Sequence, residues 1–203
     1  MQPHNPLYVN RSVMIVEAPF EIKHLDLVNR CKQGHDRAFH ELYKLYSRAM
    51  FNICVRMMNS REEAEDLLQD AFVSAFKNID YYREESTFGS WLKRIVINKC
   101  INAINKKSVE LAELNESITK EEEVEDEGSG DLLYEELSVD GVKQAIAKLS
   151  AGYRTVLTLY LLEGYDHLEI AEILGISEST SKTQYLRAKK RLREILKEHG
   201  YER

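Results

Sequence analysis

Proline and glycine are scarce in this chain, at three and nine among 203 residues. Both interrupt regular backbone, so their rarity beside abundant Leu, Ala, Glu and Lys predicts a mostly helical protein. Cysteine is equally sparse. Cys31, Cys54 and Cys100 are widely spaced in apolar helical surroundings. That spacing matches neither a disulfide framework nor a metal site, and predicts buried free thiols in a reducing compartment. No stretch approaches the roughly 18 apolar residues that span a bilayer, so no stable membrane insertion is expected. Residues 1–22 break their few apolar positions with Glu17 and Pro19. They lack the basic start of a signal peptide, which predicts a cytoplasmic location. Also missing are a glycine-rich phosphate loop, an HExxH pair and a convincing nucleophile beside a base. The six histidines (His4, His24, His35, His40, His167 and His199) form no ligand cluster. No enzyme, cofactor or metal is expected.

A net charge of −6 conceals a strong asymmetry. Residues 108–140 hold thirteen Asp and Glu against the single cation Lys120, leaving the rest of the chain at +6. The stretch includes GSG at 128–130 and little apolar periodicity. Such a segment cannot bury enough surface to offset its ordering entropy, which predicts a flexible acidic linker, with room for a short helix around Leu132–Leu137. Two basic blocks flank it. The expected organisation is therefore all-α: an N-terminal extension over 1–23, a helical domain over 24–107, the linker over 108–140, and a second small helical domain over 141–203.

The second domain carries the sharpest local pattern. Asp166 and Glu169 have the spacing of a capping box. Leu168, Ile170, Ala171 and Leu174 give the following helix an apolar side, and Gly175 suits a turn of positive φ. Ser177 is placed to cap a second helix through the amide of Thr180. That helix bears Lys182, Thr183, Gln184, Arg187, Lys189, Lys190, Arg191 and Arg193. Short polar groups early and cations throughout suit a helix whose first turns read base edges in the major groove. Helices are expected near 142–149, 153–163, 167–174 and 178–197.

In the first domain, Phe39, Leu42, Tyr43, Tyr46, Met50, Ile53 and Met57 recur at helical spacing. Ser60 and Glu63 form another capping-box pattern before a helix with Ala64, Leu67, Leu68, Ala71, Phe72, Ala75, Phe76 and Ile79 inward. After an aromatic loop, Ser90 is expected to cap a helix to Lys107. Arg94, Asn98 and Asn102 lie away from its Trp91 and Ile95 side, with Lys93, Lys99, Asn105, Lys106 and Lys107. Amides can read bases while cations neutralise phosphate. The loop aromatics Tyr81, Tyr82 and Phe88 suit unpaired bases, while Tyr82, Phe88 and Trp91 equally suit the core. The carboxylates of Glu62, Glu65, Asp66 and Asp70 crowd one helix surface, as a solvated face, a docking surface or a metal site, the last needing ligands that converge from several elements.

The segments DLLQDAF and STFGSWLKRI, followed after a linker by the helix-turn-helix, resemble an extracytoplasmic-function sigma factor of bacterial RNA polymerase over residues 24–197. The resemblance implies a factor that binds core RNA polymerase, directs initiation at promoter DNA and is held by an anti-sigma factor. It puts Asp66, Leu67, Gln69, Asp70 and Phe72 on the polymerase-docking surface. Tyr82, Arg83, Glu84, Glu85 and Ser86, with Arg94, Asn98 and Asn102, then face the −10 element. Lys182, Thr183, Gln184, Leu186, Arg187 and Lys190 face the −35 element. Ser181, where an aliphatic residue is common, and Gln184, where Arg is common, depart from that pattern. Two other readings are a free-standing helix-turn-helix regulator and a metal-dependent nucleic-acid enzyme using the 62–70 carboxylates.

Overall fold

The computed structural model describes residues 24–114 and 138–198, which form helices and loops with no strand among the described residues. A first helix, α1, covers 24–32. It is followed by α2 (Asp36–Met58), α3 (Arg61–Lys77), one tight turn (Ile79–Tyr81) and α4 (Phe88–Leu114). The second module holds α5 (Val139–Ala147), α6 (Ala151–Leu157), a widened turn (Thr158–Leu162), α7 (His167–Leu174) and α8 (Glu178–Glu198). The extension over 1–23 and the 115–137 part of the expected linker lie outside the described residues.

Local chemistry accounts for most helix boundaries. Asn59 stops α2 by adopting φ 57°, a conformation its short polar side chain tolerates. Ser60 Oγ then accepts from the Glu63 amide at 3.4 Å and starts α3. The reciprocal half of that box does not form, because the Glu63 carboxylate binds Lys107 Nζ on α4. The cap of α4 is Thr87, not Ser90: Thr87 Oγ1 accepts from the Ser90 amide at 3.2 Å, so the helix begins at Phe88. It also runs on through 108–114, where Ser-Val-Glu-Leu-Ala-Glu-Leu contains no breaker. Ser138 Oγ, accepting from Gly141 N at 3.0 Å, starts α5 at Val139, just before the expected position.

The core of the first module gathers Leu42, Met57, Leu92, Val96 and Ile97 from α2 and α4 with Leu68, Ala71 and Phe72 from α3. Gly89 permits the close crossing of α4 on α2, since a Cβ there would stand 2.9 Å from the Tyr46 ring. Cys31, Cys54 and Cys100 are buried free thiols, as expected. Burial pushes the Cys31 thiol up to about 11. The Cys100 thiol is raised by its hydrogen bond to Cys54 and then by burial. Tyr46 is held up to about 12, chiefly by burial.

The modules are joined by more than sequence. Val156, Leu159 and Ile170 of the second module enter the core of the first, while Ala145, Leu149, Leu157, Ala188, Ile195 and Leu196 form a separate small core. Fully burying three such side chains is worth roughly 1.5–3 kcal/mol each.

Candidate nucleic-acid interface

The helix-turn-helix closes through the predicted local contacts. Asp166 Oδ1 accepts from Glu169 N at 2.8 Å while Glu169 Oε2 accepts from Asp166 N at 2.9 Å, a complete capping box. Gly175 adopts φ 67° and returns its amide to Ala171 O, and Ser177 Oγ accepts from Thr180 N at 3.1 Å. Ile170 and Ala171 face inward. Leu168, expected on that buried side, is instead 57% exposed, because it projects from the first turn beside the cap. The aliphatic residue missing at Ser181 is replaced by polar chemistry. Buried Ser181 Oγ bonds His167 Nδ1 at 2.9 Å, and the His167 ring stacks on Tyr160 with centroids 4.5 Å apart. Asp166→Ala should remove the cap and cost about 1 kcal/mol of stability. Urea denaturation checks this, with Asp166→Asn expected to retain most of it.

On α8, Lys182, Thr183, Leu186 and Lys190 are exposed, while Gln184 and Arg187 are half-buried. Two of these groups are engaged within the helix: Lys182 Nζ pairs with Glu178 at 2.6 Å, and the Thr183 hydroxyl donates to Ser179 O at 2.9 Å. Gln184 turns toward the first module and lines a cavity of about 200 Å³ with Ile101, Ile104 and Asn105.

On α4, Arg94, Asn98 and Asn102 are all exposed, and their spacing of four places them in one stripe along the helix. The neighbouring loop is firmly held. Tyr82 OH donates to Ser86 O at 2.6 Å, Lys32 Nζ donates to Tyr82 O at 3.0 Å, and Glu84 takes a left-handed φ of 63°, which is uncommon for its residue type. Arg83, Glu84, Glu85 and Ser86 are exposed. Tyr82 is not: its ring is only 6% exposed, edge-on to Phe88 at 5.7 Å and tilted against Trp91 at 5.5 Å. The core reading holds for Phe88 too, while Trp91 is half-buried. The open aromatic of this loop is Tyr81, 74% exposed, one of the loop rings suited to an unpaired base, although the resemblance begins its −10 residues at Tyr82.

Along α3, Asp66, Gln69 and Asp70 are exposed and Leu67 is half-buried. Phe72, expected on the same docking surface, is buried beneath it, edge-on to Tyr43 at 4.8 Å and tilted to Phe76 at 5.5 Å. Tyr43 of the neighbouring α2 and Phe76 one turn on supply the apolar contacts that hold the ring inward. Among the described residues no group of three or more His, Cys, Asp or Glu could hold a metal, and no described helix is long and apolar enough to cross a membrane.

The chain thus folds as two helical modules, the second a capped helix-turn-helix. Residues 42–109 match the Sigma-70 region 2 family and residues 140–192 match Sigma-70, region 4. The chain is 33% identical over 186 residues to the ECF RNA polymerase sigma factor SigW of Bacillus subtilis, covering 84% of this chain and 95% of that one. It is 30% identical over 179 residues to the RNA polymerase sigma-H factor of Pseudomonas aeruginosa, covering 84% and 92%. The sigma factor RpoE of Bartonella quintana, solved with the anti-sigma factor NepR, superposes with a TM-score of 0.54 at 26% identity over 78% of this chain and 96% of that one. The chain belongs to the extracytoplasmic-function sigma factors. It directs promoter-specific initiation by RNA polymerase, with region 2 for the −10 element and its melting and region 4 for the −35 element.

Proposed function

We propose that the stripe of Arg94, Asn98 and Asn102, with loop residues Arg83, Glu84, Glu85 and Ser86, holds the −10 element. Lys182, Thr183, Gln184, Leu186, Arg187 and Lys190 hold the −35 element. Asp66, Gln69 and Asp70 dock core RNA polymerase. The observation that carries this reading is the stripe itself: two base-reading amides and a cation exposed on one line of α4, beside a loop fixed by the Tyr82 hydroxyl. Tyr82 acts as the anchor of that loop, and Tyr81 offers the ring on which an unpaired base can stack. Leu67 and Phe72 support the docking carboxylates from below.

The chain supplies recognition and no catalysis of its own, acting in the cytoplasm where polymerase and chromosome meet. An anti-sigma factor is its expected third partner, since RpoE of Bartonella quintana binds one. The second module leaves Leu161, Leu162, Leu168 and Leu186 exposed, apolar surface that a partner helix can cover. The 62–70 carboxylates serve docking better than metal chemistry, because among the described residues no neighbouring element brings a converging ligand.

Run-off transcription with core polymerase and a promoter library tests the whole reading. Transcripts should start downstream of one shared −35 and −10 pair, and a library that yields none refutes it. Asp66→Ala combined with Asp70→Ala should weaken core association about tenfold, or ~1.4 kcal/mol, with helical content unchanged. Equal affinity in a pull-down titration returns this face to solvent.

A further inference from the structure

Lys32 is a cation to which the sequence assigns no role, yet two contacts bind it to the loop that follows α3. It is the last residue of α1. Leu27, Val28 and Cys31 bury that helix in the core of the first module. Its end is closed by the Gly34 amide on Cys31 O at 2.9 Å and the His35 amide on Arg30 O at 3.0 Å. With Gly34 at φ 80°, these are the paired bonds of a Schellman motif. From this fixed end the half-buried Lys32 side chain donates to Tyr82 O at 3.0 Å. Its Nζ stands 5.7 Å from the centre of the Tyr82 ring.

That carbonyl controls the direction of the loop. A trans peptide is planar, so its C=O and N–H point in opposite directions, and no peptide among the described residues is cis. Holding Tyr82 O toward α1 therefore aims the Arg83 amide away from it. One residue further, Glu84 takes φ 63°, a conformation that a residue other than glycine keeps only where its surroundings impose it. The second restraint is the Tyr82 hydroxyl, which donates to Ser86 O at 2.6 Å. Lys32 and that hydroxyl thus clamp the two ends of the turn, and Arg83, Glu84, Glu85 and Ser86 are exposed between them. The Tyr82 ring is no platform for a base, being buried against Phe88 and Trp91. What residues 82–86 offer a base is backbone and exposed side chains, in a shape set from α1.

We propose that Lys32 is a positioning residue for −10 recognition. By holding the Tyr82–Arg83 peptide from α1, it keeps the loop in the shape that receives an unpaired −10 base, and base choice at that position depends on it. Lys32 itself touches no base, since its ammonium is turned to Tyr82 O. The proposal rests on the −10 assignment above. A cation here has one competing use, the direct neutralisation of a DNA phosphate, and the two uses leave different signatures. A phosphate contact supports binding equally for all sequences and carries a share of the salt dependence. A loop anchor changes which base is preferred and leaves the salt dependence as it is.

The test uses the full chain assembled with core polymerase, on a promoter taken from the run-off library with each −10 base replaced in turn. Lys32→Met keeps the aliphatic stem and removes the donor, while Lys32→Arg keeps a charge and a donor. Circular dichroism and core binding first confirm that both variants fold and dock as wild type does. Lys32→Met should flatten the base preference at one −10 position by about tenfold, or ~1.4 kcal/mol. Closed-complex binding and its salt slope should stay unchanged, and Lys32→Arg should restore part of the preference. A wild-type −10 profile in Lys32→Met overturns the proposal. So does uniform weakening across all −10 replacements with a salt slope reduced by about 1, the mark of a phosphate contact. Asn98→Ala on the same templates separates this inference from the assignment beneath it. If Asn98→Ala alters the −10 profile and Lys32→Met does not, the Lys32 anchor alone falls. If neither alters it, the −10 assignment falls as well.

Discussion

Arg154→Ala is expected to destabilise the chain by about 3–4 kcal/mol, more than any single surface change. Arg154 is a buried cation on α6, and it reaches across the module boundary. Its Nε donates to Met57 O at 3.2 Å, and its Nη1 donates to Ala147 O at 3.1 Å and to Leu149 O at 2.7 Å. Those carbonyls lie at or just beyond the ends of α2 and α5, where the helices leave acceptors without internal partners. One planar guanidinium thus serves Met57 O and Leu149 O and shares Ala147 O with Asn59 Nδ2, which donates to it at 2.9 Å. Truncation removes the donors and leaves the acceptors buried, which costs more than the bonds are worth when formed. Burial lowers the Arg154 pKa without a carboxylate beside it, so its charge is offset by carbonyl dipoles. Arg154→Lys should recover only part of the loss, because a compact ammonium cannot span the same fork. Urea denaturation of the three proteins measures this. A loss below about 1 kcal/mol for Arg154→Ala would mean that water replaces the guanidinium.

What the sequence made legible was local. The cap at Asp166, the turn at Gly175 and the cap at Ser177 each depend on residues within a few positions, so spacing alone determined them. The stripe of Arg94, Asn98 and Asn102 was readable for the same reason, since helical period follows from position. Aromatics at the edge of a polar surface were not. Tyr82 and Phe72 carry the same sequence signal whether the ring points inward or outward, and only the neighbouring helices decide. Leu168 failed in the opposite sense, an apolar residue assigned to the core but left outside by the first turn of α7. Arg154 and Glu163 could not be found at all: each reads as an ordinary surface charge, yet Arg154 reaches Met57 and Glu163 reaches Arg56, 97 and 107 residues away in sequence. Ser181 read as a defect because its partner, His167, came from the preceding helix.

The two DNA surfaces should separate by the step that each supports. Asn98 is exposed on α4 beside the held loop, where an amide can grip a base only after the duplex has opened. Arg187 lies half-buried on α8, a helix suited to intact duplex in the major groove. Asn98→Ala should therefore leave closed-complex binding close to wild type and slow strand opening, read as permanganate reactivity of −10 thymines. Arg187→Ala should weaken recruitment to the closed complex by about 1–3 kcal/mol, the cost of losing a bidentate base contact. A template already unpaired over the −10 element bypasses melting, so it should partly restore transcription by Asn98→Ala and do nothing for Arg187→Ala. The reverse pattern, rescue of Arg187→Ala alone, would exchange the roles of the two helices.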